Sequence, residues 1–180
     1  MTKTSYYCYL DTPLGLLCVQ GDGEFLTDLY LPNHKGPTNT HAGRQKYAAP
    51  FTAVGQQLAE YFAGARHSFD LPLKLAGSPF QLRVWRELIR IPYGTTITYS
   101  QLAQRIDRPS ASRAVGHANS RNPISIIVPC HRVIGASGNL TGYAGGLDAK
   151  RWLLDREAGY LTAFSDGGDF QPAVLTAMTR

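Results

Sequence analysis

Short apolar runs punctuated by turn residues dominate the first third of the chain. SYYCYL, LGLLCVQ and FLTDLYL (residues 5–10, 14–20 and 25–31) are separated by Asp11-Thr12-Pro13 and Gly21-Asp22-Gly23, a pattern that predicts a small antiparallel sheet. Residues 32–49 are polar and rich in Pro, Gly, Asn and Thr, and read as a loop. In FTAVGQQLAEYFAG, Val54, Leu58, Tyr61 and Phe62 recur at helical spacing, and Gly64 is placed to end the helix. HSFDLPLKL reads as a short strand returning to the sheet, and Gly77-Ser78 mark a boundary.

Beyond Ser78 the pattern changes to short helices. Ser78 can cap and Pro79 fits a first helical turn, with Phe80, Val84, Trp85, Leu88 and Ile89 as the apolar stripe. After the turn at Pro92-Tyr93-Gly94, Tyr99 to Ile106 forms a helix with Leu102, Ala103 and Ile106 inward. Asp107-Arg108-Pro109 turns the chain, and Ser110 can cap a second helix running to about Asn119. Two short helices joined by a tight turn predict a helix-turn-helix. Along the second helix Ala114, Gly116, Ala118 and Ser120 are small, and Arg113 stands at its start. In LDAKRWLLDREAG, Leu147, Trp152, Leu153 and Leu154 are expected to be the buried side of a last helix, with Asp148 as its cap. The class is α+β: an α/β unit over 1–76, a mostly helical unit over 77–160, and a tail over 161–180.

A chain of 180 residues with 43% apolar and 17% charged residues is globular, with room for one domain or one domain and an appendage. The N-terminus lacks an apolar signal region and no apolar run spans a bilayer, so a soluble, cytoplasmic protein is expected. Charge is unevenly distributed. Residues 1–82 balance, whereas residues 83–132 carry eight arginines against Glu87 and Asp107. Arginine suits bidentate phosphate contact and stacking, so this segment points to a polyanion, most simply nucleic acid.

Three cysteines without a C-x-x-C pair argue against a disulfide framework and a zinc ribbon. Cys8 and Cys18 lie inside apolar runs and read as core. Cys130 is different: it ends the apolar run IIVP and precedes His131 and Arg132. A thiol attacks as its thiolate, which needs a nearby base or positive field. A turn after Pro129 would bring the imidazole near the sulfur, and an imidazolium needs a carboxylate behind it. Asp148, Asp155, Glu157, Asp166 and Asp169 are the downstream candidates, and spacing does not choose among them. The glycine-dense stretch around Tyr143 fits a loop whose backbone approaches a ligand.

RAVG, the Asn122-Pro123 pair, PCHRV, GYAGG and the LLxxE ending at Glu157 together resemble the O6-alkylguanine-DNA alkyltransferase family over residues 78–160, and the DTPLG start is also similar. The resemblance implies a ribonuclease H-like N-terminal unit and a winged-type helix-turn-helix that enters the minor groove of double-stranded DNA. It implies that Cys130 accepts the alkyl group from O6-alkylguanine, with O4-alkylthymine an open second substrate. His131 would then be a water-mediated base, Glu157 its support, and Asn122 the residue tying the two units around the site. Tyr99 would rotate the phosphate and protonate the leaving guanine. Arg113 would replace the extruded nucleotide in the stack, with Ser100, Arg108 and Ala114 as further DNA contacts. Val133, Tyr143 and Ala144 would border the base. The reaction would need no cofactor or metal and would be irreversible, by a monomer whose cooperativity on DNA stays open.

The chain departs from the family pattern in places. Arg121 stands where many relatives have glycine, Ala144 where some have serine, and Cys8 and Cys18 do not match the zinc-binding positions of some members. Residues 161–180 fall outside the resemblance and are expected to be a mobile tail. A non-reactive binder of alkylated DNA would lack the cysteine of PCHRV. A cysteine hydrolase would leave the basic helix-turn-helix without a purpose.

Overall fold

The computed structural model describes residues 4–32, 34, 41 and 43–159; the expected tail and part of the polar loop lie outside the described residues. Strands β1 (Ser5–Leu10), β2 (Leu17–Gly21) and β3 (Leu26–Tyr30) pair antiparallel, with Cys8 opposite Val19 and Val19 opposite Leu29. The inner strand β2 is buried along its whole length, Gln20 included. The sheet order is β3-β2-β1-β4, where β4 (Arg44–Lys46) runs parallel to β1. The loop read over 32–49 thus contains a strand. Its Arg-Gln-Lys sequence has no alternation to detect, because among the described residues this edge strand is held by main-chain pairing with β1 alone.

Helix α1 (Thr52–Phe62) buries Val54, Leu58, Tyr61 and Phe62 as their spacing predicts, and Gly64 beyond it adopts φ +78°. The expected return strand 67–75 reduces to one bridge. The Leu26 N–H donates to the Pro72 carbonyl and the Lys74 N–H donates to the Leu26 carbonyl, both at 2.9 Å. Pro72 has no N–H to extend the ladder. The same edge of β3 receives a segment of the second unit, with Leu29 N–H to Pro123 O at 2.8 Å and Ser125 N–H to Leu29 O at 3.0 Å. Two segments therefore cover an edge that would otherwise be open to pairing with another chain.

Helix α2 (Pro79–Ile89) begins in a capping box, Ser78 with Gln81, and buries Val84, Trp85 and Leu88. Ile89, expected in the stripe, is exposed, and Ile91 in the following turn is buried instead. Position 89 is the last of the helix and has already rotated off the 84-85-88 face. The Trp85 indole N–H donates to the Ala118 carbonyl at 2.9 Å and so ties α2 to the helix-turn-helix.

The helix-turn-helix comprises α3 (Tyr99–Arg105) and α4 (Ser112–Ser120). A capping box of Thr98 and Gln101 starts α3, and Leu102, Ala103 and Ile106 are buried as expected. The turn is closed by Asp107 at φ +56°. Ser110 does not cap α4: the cap position is Ala111, which makes no side-chain cap bond, so the expected cap falls one residue too early. Beside the two helices, β5 (Ile97–Thr98) pairs parallel with β6 (Val133–Ile134).

The last helix, α5 (Leu147–Glu157), follows Gly146 at φ +91°. Its inward face is Lys150, Leu153, Arg156 and Glu157, whereas Leu147 is exposed, Trp152 and Leu154 are half-buried, and Asp148 makes no cap bond. Charged groups occupy the face that apolar spacing assigned to Leu147 and Leu154. Among the described residues no helix is long and apolar enough to cross a membrane.

These caps are testable. Ser78→Ala and Thr98→Ala should each cost about 1 kcal/mol and lower Tm by about 2–4 °C, measured by calorimetry. Ser110→Ala should shift Tm by less than either.

Candidate active site

The segment leading to Cys130 is not a strand. Ile126 sits at φ +72° with the Ile127 N–H donating to Ser125 O at 2.9 Å, a γ-turn of the rare left-handed kind, strained for a β-branched residue. Pro129 follows at φ −82°, ψ 64°, with Cys130 N–H to Val128 O at 2.8 Å, the commoner inverse γ-turn. Two sharp turns thus replace the extended geometry that the apolar run IIV suggests. They deliver Cys130–Arg132 as a single 3-10 turn with all three side chains buried. Ile126 is itself fully buried, so packing offsets the strain of its backbone.

Asn122 organises this turn. Its amide N–H groups donate to the Val128 carbonyl at 2.7 Å and to Cys130 Sγ at 3.1 Å, and its Oδ1 accepts the Ile124 N–H at 3.0 Å. Because Pro123 and Ser125 pair with β3, the same asparagine stands where the second unit joins the N-terminal sheet. Asn119, from α4, donates to the Cys130 carbonyl at 3.3 Å.

Next in sequence, His131 bonds Glu157 Oε1 through Nε2 at 2.8 Å, and its buried Nδ1 has no hydrogen-bond partner among the described residues. Glu157 accepts from four further donors. Arg132 grips both carboxylate oxygens, Nε to Oε2 at 2.8 Å and Nη2 to Oε1 at 2.9 Å. Tyr61 donates its hydroxyl to Oε1 at 2.7 Å, and the Gly94 N–H reaches Oε2 at 3.1 Å. Of the five candidate carboxylates, Glu157 is the one that meets His131; Asp166 and Asp169 lie outside the described residues.

Burial and pairing set the protonation of the cluster. Burial alone would raise Glu157, but hydrogen bonds and charge from His131 and Arg132 overcome it and hold the carboxyl well below its usual range. Burial pushes the Cys130 thiol up, against the Asn122 hydrogen bond and the Lys150 charge. It pushes His131 down, against Glu157. Lys150 is lowered by burial to about 8; its Nζ donates to the carbonyls of Val133 at 2.6 Å and Thr141 at 2.9 Å.

The other expected residues fall into two groups. Tyr99, Val133 and Tyr143 border the cysteine. Tyr99 donates its hydroxyl to Thr141 O at 3.3 Å, and its ring lies 3.7 Å from where a Cβ on Gly116 would project. Val133 is buried, and the Tyr143 hydroxyl is buried without a partner among the described residues. Ala144 is half-buried in the same loop. Ser100, Arg108, Arg113 and Ala114 are exposed on the helix-turn-helix, and none touches Cys130. Sequence reasoning missed Tyr61, Arg132 and Lys150. Arg132 adjoins the Cys-His pair, and Lys150 stands three residues before buried Leu153, but side chains of these types ordinarily mark exposure. Among the described residues no cluster of three His, Cys, Asp or Glu side chains is placed to hold a metal ion.

Comparison with known proteins identifies the family of both units. Residues 79–159 match the model of the 6-O-methylguanine DNA methyltransferase DNA-binding domain, and residues 5–75 match that family's ribonuclease-like domain. The chain is 50% identical over 153 residues to the methylated-DNA–protein-cysteine methyltransferase of Mycobacterium bovis, covering 84% of this chain and 92% of that protein. It is 47% identical over 161 residues to the protein of that name from Methanosarcina acetivorans, covering 84% and 97%. The crystal structure of Mycobacterium tuberculosis OGT in complex with DNA superposes with a TM-score of 0.81 at 47% identity, covering 88% of this chain and 96% of that one. With both units matched by their own models and relatives aligned over more than four-fifths of the chain, the chain belongs to the 6-O-methylguanine DNA methyltransferase family.

Proposed function

We propose that this protein repairs DNA by moving the alkyl group of O6-alkylguanine irreversibly onto its own Cys130. One observation carries the reading: a single buried 3-10 turn holds a thiol bonded by Asn122 and, next to it, an imidazole bonded by Glu157. The relatives' name supports the group transferred, and the DNA in the M. tuberculosis structure supports the partner.

In the proposed step the thiol proton passes to His131 through a water at the unpartnered Nδ1, and Glu157 stabilises the imidazolium that forms. Sulfur bonds the alkyl carbon as the carbon–O6 bond breaks, and the leaving guanine takes a proton delivered by Tyr99, whose own is replaced by the proton that His131 has taken up. A thioether and an intact guanine result, with no cofactor or metal, and each molecule reacts once. A thiol this deeply buried cannot reach a base inside the duplex, so the nucleotide must leave the stack. Double-stranded DNA is bound as a monomer, with α4 in the minor groove, where the exposed Ala114 and half-buried Gly116 allow close approach. Arg113 fills the gap left by the flipped base, while Arg108 and Ser100 contact the backbone. Tyr143, Ala144 and Val133 line the base pocket. The site of action is the cytoplasm.

Duplex DNA bearing O6-methylguanine should add the mass of one methylene to the intact chain, stoichiometrically, and Cys130→Ser should add nothing. Unmodified wild-type protein that still binds the lesion would point to a non-reactive binder. Arg113→Ala should slow repair in duplex about tenfold, the scale of one lost charge-assisted contact, while its reaction with free O6-benzylguanine stays close to wild type. Stopped-flow rates on the two substrates make the comparison. Duplex affinity should also fall linearly with salt on logarithmic axes.

A further inference from the structure

Tyr61 belongs to α1 of the N-terminal unit, and the alkyl-transfer reading gives that unit no chemical part. Its ring is fully buried, packed against Phe62, Phe69 and Tyr93 at centroid distances of 5.6, 5.3 and 6.0 Å. A buried tyrosine hydroxyl needs a hydrogen-bond partner, and many main-chain carbonyls would serve. Here it donates to Glu157 Oε1 at 2.7 Å, the same oxygen that faces His131 Nε2 at 2.8 Å.

We propose that Tyr61 is a positioning residue for the alkyl-transfer step, through which the N-terminal unit sets the orientation and basicity of His131 by way of Glu157. The inference rests on His131 and Glu157 acting as described above. Arg132 and Gly94 fix the carboxylate along Oε2, and the Tyr61 hydroxyl shares Oε1 with His131 and one Arg132 nitrogen. A donor on that oxygen withdraws negative charge from the bond to the imidazole. Removing it leaves more charge for His131 and favours imidazolium, whereas a stronger donor does the reverse.

The other titratable or charged groups around the pair are Cys130 and Arg132 in the 3-10 turn, Lys150 and Arg156 on α5, Tyr93 before β5 and Tyr143 in the glycine-rich loop. A change at Tyr61 confined to its hydroxyl removes none of these side chains.

The test follows alkyl transfer from free O6-benzylguanine and from O6-methylguanine duplex as a function of pH. Tyr61→Phe should slow both substrates alike, by about tenfold, with duplex affinity unchanged, and should move the acid limb of the rate profile to higher pH. Replacing Tyr61 by 3-fluorotyrosine keeps the ring and the hydroxyl but makes the latter a stronger donor, and should move that limb to lower pH. In a Glu157→Gln background the further loss on Tyr61→Phe should disappear, because both changes act through one carboxylate. Coincident profiles for wild type and both Tyr61 variants would overturn the inference, as would a full additional loss in the Glu157→Gln background. Failure of the wild type to take up the alkyl group would instead overturn the underlying reading.

Discussion

A carboxylate removed from water demands donors, and the donors of Glu157 are drawn from across the chain. Desolvating a charge costs several kcal/mol unless its lone pairs are filled. Here they are filled by a side chain from α1, two from the 3-10 turn and a main-chain N–H from the turn before β5. Arg132 and the helix that carries Glu157 are themselves held elsewhere. Arg132 also donates to the Ile91 carbonyl at 2.5 Å, and Arg156, one residue before Glu157, donates to the Phe62 carbonyl at the end of α1. Helix α5 is thereby pinned to both units, and the imidazole beside the thiol is oriented by contacts made far from it in sequence.

A second constraint complements this one. The open edge of β3 needs partners, and residues 123–125 supply them. That docking fixes Asn122 at the seam, and Asn122 bonds Cys130 Sγ. Between the seam and the thiol the chain must turn within a few residues, which it does through the strained backbone of Ile126. The sheet edge thus sets the cysteine and the carboxylate cage sets the histidine. Both depend on the N-terminal unit, although among the described residues the side chain that hydrogen-bonds the sulfur, Asn122, belongs to the second unit.

Much of this architecture was legible in the sequence. Val54, Leu58, Tyr61 and Phe62 marked α1 because an apolar stripe at helical spacing has few alternatives, and Ser78 with Pro79 marked the start of α2, whereas the Thr98 cap of α3 went unread. The Cys130-His131 pair was visible as unusual chemistry, but spacing alone did not separate Glu157 from four other acidic residues. The reason is physical: apolar periodicity reports burial only when what is buried is apolar. On α5 the inward face carries Lys150, Arg156 and Glu157, so the periodic signal pointed to Leu147 and Leu154 instead. Strand β4 was invisible for a related reason, since Arg44, Gln45 and Lys46 pair through their main chain and display no alternation. Tyr61 was read correctly as buried, yet nothing in an apolar stripe says that one hydroxyl of the stripe faces a carboxylate.

The same burial acts in opposite senses on the thiol and on the imidazole beside it. It pushes the Cys130 thiol above its ordinary value and His131 below its own, so near neutral pH the resting pair is a thiol beside a neutral imidazole. An ion pair at rest would give a permanently reactive thiolate, open to any small electrophile that diffused in. A molecule that reacts once can be spent by a single unwanted encounter, so for the proposed function a neutral resting pair is protective. Under the proposed function, proton transfer becomes favourable when a docked base places its alkyl carbon at the sulfur and excludes water, which strengthens the pull of Glu157 on the imidazolium. The cage around Glu157 is what keeps that option available. Without the Arg132 charge the buried carboxyl would be driven toward the neutral acid and would no longer favour an imidazolium at His131.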